Sequence, residues 1–322
     1  MRQKARRTSQ PARVKYLILQ KGTGKSMFYR IIVDSWNDVL LLFDQITNKS
    51  SSWAFRGQSD ESWKLSTIFE REANKYQCDS YWFKNREKII LQDFQRKAHH
   101  YVQNLPDSEN YIEWLSLLQH YGGPTRLLDF TYSYYVAAFF AVETSEINSA
   151  IWAVNINKLI KQISKIINYN LIEKDHTYES IIERNIHWAE NVIKNRRNDD
   201  IVFVVEPFQQ HKRISIQQGL FLFPGNIEEP FEHNLCSVFE FDFKDLSTRN
   251  ALDKKFSEIG KLDLSDISII KVVIPSSLHS KALTELYKMN VTATTLFPGL
   301  DGFARSLSFH FRQLDYFINR EA

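Results

Sequence analysis

QHYGGPTRLLDFTYSYYVAAFFAVE, residues 119–143, begins as a polar, glycine-broken run and ends as one of the most apolar stretches of the chain. Helical spacing runs from Ile112 to Tyr121 and stops at Gly122-Gly123-Pro124, because glycine and proline both interrupt a helix. TRLLDF then reads as a short apolar strand, and Thr131 to Glu143 as a buried helix. Asp129, Thr131 and Ser133 are each suited to cap that helix, since their oxygens accept bonds from its free N–H groups. A helix, a break, a strand and a second helix in one passage point to a chain that wraps helices around a sheet.

The same alternation extends outward. WNDVLLLFDQIT (36–47) has helical spacing, WAFRG (53–57) reads as a short strand closed by glycine, and residues 80–104 return to helix. Downstream, IWAVNI (151–156), IVFVVEP (201–207), FEFDF (239–243) and IIKVVIP (269–275) read as strands. KRISIQQG (212–219) reads as a short helix stopped at Gly219, LFLFPGN (220–226) as an apolar segment bounded by turns, and SSLHSKALTELYKM (276–289) as a capped helix. VTATTLFPGLDGFARSL (291–307) reads as a closing strand and turn. Residues 157–200, rich in Lys, Ile, Asn and Glu and free of glycine, read as a helical insert. The expected class is α+β (mixed α/β), a central sheet with flanking helices. One domain is expected over 34–310, with the insert at about 157–200, a basic N-terminal arm over 1–33 and a C-terminal tail over 311–322.

Composition narrows the function classes. The 322 residues are 43% hydrophobic and 14% aromatic, ample for a packed core. Cys78 and Cys236 are far apart and lack CxxC spacing, so no metal site or disulfide framework is expected and a reduced, cytoplasmic setting is. No run approaches the roughly 18 apolar residues that a membrane helix needs; VAAFFAV (136–142) is too short, and no membrane association is expected. The net charge of +3 is uneven, because no acidic residue precedes Asp34 while Arg2, Lys4, Arg6, Arg7, Arg13, Lys15, Lys21, Lys25 and Arg30 do. Such an arm suits phosphate contact and equally a solvated terminus. KGTGKS (21–26) ends like a phosphate loop, yet Leu19 stands where that motif needs its first glycine.

Several blocks carry a resemblance. FRGQ (55–58) with the following Trp63 and Arg71, QHYGGPTRLLDFT (119–131), KRISIQQGLF (212–221) and TTLFPGLDGFA (294–304) resemble, in order, the signature blocks of the FRG domain family. The similarity spans about Trp36 to Leu307. In outline the layout is also similar to ADP-ribosyltransferases, whose first block holds NAD, whose second shapes the nicotinamide pocket, and whose last residue, commonly Glu, orients the ribose or acceptor. That likeness implies a first block at Arg56 and Gly57 and a second at Thr131 and Ser133, with a third at Gln217 or Gln218. A glutamine in the third place departs from the pattern, since an amide cannot act as a general base; Glu206 is the nearby carboxylate.

The residues allow two readings of the site. Arg56 beside Gly57 suits either an anion clamp or a buried pair with a carboxylate such as Asp129. Asp129 and Arg126, with Arg213 downstream, are read as structural at the site. His120 is a candidate for proton transfer near neutrality. Gln58, Tyr121, Thr125, Thr131, Ser133 and Gln218 are candidates to line a cofactor cleft. Three functions follow: an NAD-dependent transferase, acting as a toxin or phage-defence effector on RNA, DNA or protein; a non-catalytic nucleic-acid-binding module using Arg56, Arg126, Arg213, Tyr121, Tyr132 and Tyr134; or a regulatory interaction protein. An antitoxin-like protein partner accompanies the toxin reading.

Overall fold

The computed structural model describes residues 27–47, 52–168, 177–240 and 267–312. Seven strands form one mixed sheet: β1 (Met27–Ile32), β2 (Trp53–Gln58), β3 (Leu128–Thr131), β4 (Ser149–Asn155), β5 (Val202–Val205), β6 (Gly219–Pro224) and β7 (Ile267–Ile274). Their order across the sheet is β1-β7-β4-β2-β3-β6-β5. β1 runs parallel to β7, and every other neighbouring pair is antiparallel.

The helices are α1 (Trp36–Thr47), α2 (Ile68–Lys75), α3 (Phe83–Lys97), α4 (Tyr111–His120), α5 (Tyr134–Val142), α6 (Ile156–Ile166), α7 (Tyr178–Lys194), α8 (Lys212–Ile216) and α9 (Phe231–Phe239). They are followed by α10 (His279–Lys288), α11 (Ala293–Leu296) and α12 (Leu300–Ser306). The sheet is buried on both faces, giving a three-layer architecture. On one face α1, α5, α10 and α11 pack Phe43, Ala137, Leu286 and Leu296 against Phe55, Ile151 and Val272. On the other, α3, α4, α6, α7 and α9 pack Leu91, Trp114, Leu159, Ala189 and Leu235 around Trp152 and Phe203.

Two helices explain why the chain takes this form. α5 buries Val136, Ala137, Ala138, Phe139, Ala141 and Val142, and a helix apolar on all sides belongs in an interior. Its N-terminus is capped by Ser133, whose hydroxyl accepts the Val136 N–H at 3.4 Å. α4 ends where Gly122 adopts a φ of +82°, the left-handed turn that glycine tolerates best. α6 and α7, read from the sequence as an insert, bury Ile163 and Val192 in the same core as Trp152.

Three expectations are corrected. The closing strand near 291–297 is helical: Thr292 and Thr295 exchange side-chain and backbone bonds in a capping box that starts α11, and this reciprocal cap outweighs the β-branched composition. The strand expected over 239–243 begins instead with Phe239 as the last residue of α9, and residues 241–243 lie outside the described ones. Residues 27–32, counted with the basic arm, form β1; KGTGKS and the rest of the arm lie outside the described residues, as does the tail from 313 on.

Candidate functional site

The sheet parts between β2 and β3. These strands share a single residue pair, Phe55 with Thr131, whereas β2 pairs with β4 along its whole length. The three residues Phe55, Arg56 and Gly57 divide the work at the parting. Phe55 is fully buried, edge-on to Phe43 at 5.3 Å. Gly57 faces α5 so closely that a Cβ there would lie 1.9 Å from the Ala137 carbonyl oxygen. Arg56 bridges the open ladder: Nη1 donates to the Asp129 carbonyl at 2.8 Å and lies 3.7 Å from its Oδ2. Its Nε is buried with no hydrogen-bond partner, and burial pushes the guanidinium below its ordinary value despite Asp129.

The polar half of the opening passage folds back on itself. Thr125 Oγ1 accepts the Leu127 N–H at 3.1 Å and donates to Gln119 Oε1. Gln119 Nε2 in turn donates to Asp129 Oδ1 at 2.8 Å. This chain fixes one oxygen of a carboxylate whose side chain is otherwise 59% exposed. Polar residues therefore lead into the core because they anchor the end of β3 from within. Arg126 points elsewhere: it forms a two-point pair with Glu87 of α3, with Nε to Oε1 at 2.5 Å, and it lies over the Phe223 ring.

A further cation, Arg213, stands near Asp129. Arg213 of α8 sits 4.4 Å above the Phe297 ring, and Arg305 of α12 lies at the same distance from that ring. Burial lowers Arg213, and Asp129 opposes that shift. His120, at the end of α4, stacks on His211 at 4.6 Å and meets the exposed Tyr121 ring edge-on. Burial lowers His120, with His211 and Arg213 adding to the effect; burial likewise lowers His211. Both rings thus favour the neutral form.

The other candidate residues are distributed around this centre. Gln58 is buried, accepting the Trp152 indole N–H at 2.8 Å and donating to the Lys64 carbonyl. Thr131 Oγ1 donates to the Gln217 carbonyl at 2.6 Å and accepts the Ser133 N–H. Gln217 Nε2 donates to the Leu296 carbonyl at 3.0 Å. Gln218 has a φ of +49° and accepts the Tyr132 N–H through its carbonyl. Glu206 forms a separate cluster, in which Oε1 accepts the hydroxyls of Tyr132 at 2.7 Å and Tyr178 at 2.8 Å. Burial, reinforced by Glu206, pushes both phenols up.

Sequence reasoning missed Gln119 as a site residue, and also Glu87, His211, Phe297 and Arg305. Glu87 had a signal: it shares the buried stripe of α3 with Phe83 and Leu91, where a lone carboxylate needs a cation. The Arg213 and Arg305 pairing on Phe297 had none, because it unites separate elements.

Residues 51–149 match the model of the FRG domain, a segment that holds Phe55, Arg56, Gly57 and the whole 119–143 passage. No curated protein and no solved structure matches the chain. Among the described residues no helix is long and apolar enough to cross a membrane.

Proposed function

We propose that the FRG domain matched over residues 51–149 serves an NAD-dependent ADP-ribosyltransferase-like effector, a cytoplasmic toxin or phage-defence protein acting on a nucleic-acid or protein acceptor. One observation carries the reading: the parted ladder at Arg56, whose largely covered guanidinium reaches across the gap to Asp129. Arg56 carries an unpartnered Nε–H, and Arg213 feels the same Asp129 carboxylate; these two guanidinium groups are the cationic forks assigned to a diphosphate. In the reaction the bond between ribose C1′ and the nicotinamide nitrogen breaks, the electron pair leaving with neutral nicotinamide. The acceptor bonds to C1′ as it releases a proton.

Gln217 stands at the late polar position, tied to α11 through the Leu296 carbonyl. As an amide its part is electrostatic. Glu206, held by two phenol hydroxyls, is the carboxylate assigned to the proton. The basic run from Arg2 to Lys25 steers the protein to an anionic acceptor.

The test incubates the purified chain with labelled NAD and with RNA, DNA and protein fractions, beside a folded Arg56→Ala variant. Label transferred by the wild type alone supports the reading and identifies the acceptor. No label from either form, or label undiminished by the substitution, overturns it. The binding-module reading draws on the exposed Tyr121 ring beside the His120–His211 stack. It has fewer groups to use than the sequence offered, since Arg126 is sealed against Glu87 and Tyr134 stacks on Phe43. It predicts affinity for RNA or DNA that falls steeply with salt.

A further inference from the structure

A cavity of about 410 Å³ lies between the C-terminal end of α5, α10, α11, α12 and the short helix α13 (Phe309–Arg312). That volume is in the range of small-molecule sites. The FRG match supplies only Phe139 and Glu143 to its lining, so the cavity is built mainly by the C-terminal helices.

The lining specifies the ligand's chemistry. Phe139 and Phe303 line it with the parallel rings of Tyr287 and Phe309, which stack at 4.8 Å and 6°; aromatic surfaces of this kind receive a planar ring. Asn290 and Thr294 add hydrogen-bonding groups to the lining, which favours a ring with a polar edge over a hydrocarbon. The opposite charges in the lining meet each other, because Arg305 pairs with Glu143 through two bonds, Nε to Oε1 at 2.7 Å and Nη2 to Oε2, leaving His310 and Tyr287 as the other ionisable groups there. The ring should therefore be neutral.

Beyond the cavity the charge changes. Arg305 rests on Phe297, and Arg213 rests on the same ring at the same 4.4 Å. Arg213 is also the cation that feels Asp129 beside Arg56. A ligand with its ring in the cavity thus has two guanidinium groups on Phe297 beside it, the outer of which feels Asp129 at the parted strands.

We infer that this cavity is a nucleobase site, taking the ring of a nucleoside or nucleotide and leaving any phosphate on the side of Arg305, Phe297 and Arg213. Assigning the adenosine half of NAD to it rests on the transferase reading; the nucleobase site does not. The full-length chain is titrated calorimetrically with adenosine, AMP and nicotinamide. Adenosine binds the wild type, at least tenfold more weakly to the cavity-filling Val291→Trp variant, and unchanged to Arg56→Ala. AMP binds more tightly than adenosine, and Arg213→Ala removes that gain. Should Val291→Trp fail to fold, Thr294→Phe fills the cavity from its exposed rim. Adenosine that does not bind the wild type, that binds filled and unfilled forms alike, or that is outdone by nicotinamide overturns the inference. The two readings fail separately: adenosine binding without ADP-ribose transfer sinks the transferase alone, and transfer without adenosine binding sinks the cavity alone.

Discussion

Glu232, in the first turn of α9, accepts the backbone N–H of Leu65 at 2.9 Å, while its second carboxylate oxygen is buried without a hydrogen-bond partner. The bond ties the segment before α2 to α9, beside the bond from Phe231 N–H to Glu70 Oε2 at 3.2 Å. Burial pushes this carboxyl up to about 7, against the pull of Lys64 and Lys271 and with the help of Glu70.

A carboxyl that ionises near 4.5 when exposed and near 7 when folded binds more protons in the native state between those values, so stability falls as pH rises through that window and is level above it. Glu232→Gln keeps the oxygen that accepts the Leu65 N–H and carries no charge. The variant should be more stable than the wild type at pH 8, by about 1–3 kcal/mol, and nearly equal to it at pH 5. Thermal unfolding at the two pH values checks this; a difference that does not depend on pH excludes Glu232 as its source.

The Arg126–Glu87 pair is sealed, with side chains 3% and 7% exposed. Removing either partner alone leaves a buried charge and should cost about 3–5 kcal/mol. Replacing both, as Arg126→Met with Glu87→Leu, should cost less than either single change. Urea unfolding of the three variants decides, and additive losses would show that the pair acts through something other than mutual neutralisation.

Gly57→Ala would place a methyl 1.9 Å from the Ala137 carbonyl oxygen and 2.6 Å from the Ala141 nitrogen. Both obstacles are backbone, so no rotamer change relieves them. The expected loss exceeds the roughly 1–3 kcal/mol of ordinary overpacking, seen as insoluble protein or a sharply lowered denaturation midpoint. Wild-type stability in the alanine variant would contradict the close approach of α5 to β2.

His120 titrates below its ordinary value through burial first and His211 and Arg213 next. His211→Ala removes a stacked ring that disfavours charge on His120 and part of its cover, so the His120 ring should titrate at higher pH. An NMR titration of the ring protons reads this directly; a value that stays put or falls would mean that the stack does not govern His120.

Much of the frame was legible because its elements carry their own periodicity. α1, β2, α5, β5 and β7 each follow from apolar spacing or an apolar run, and Ser133 was among the three candidates to cap α5. β1 was hidden by Arg30 in its middle, whose charge is met by Glu61 at 2.6 Å, a partner invisible from local spacing. α11 was misread because Thr292, Thr294 and Thr295 look like a strand until the reciprocal cap is seen. At the site, the approach of Arg56 to Asp129 could be anticipated from two short strands each carrying one charge. The direction of Arg126 could not, since Glu87 lies on a helix that has no sequence link to it.

The edge strand β1 has consequences for how the molecule is made. Its neighbour is β7, the most distant strand of the sheet in sequence, and β7 in turn pairs with β4. On a ribosome, β1 must wait unpaired until β7 is translated, and β4 waits with one edge bare. An unpaired strand edge is a template for association between chains, and such exposure grows with the delay before a distant partner arrives. Completion of this sheet therefore waits for β7, and yield should depend more on chaperone supply and synthesis rate than the stability of the finished fold suggests.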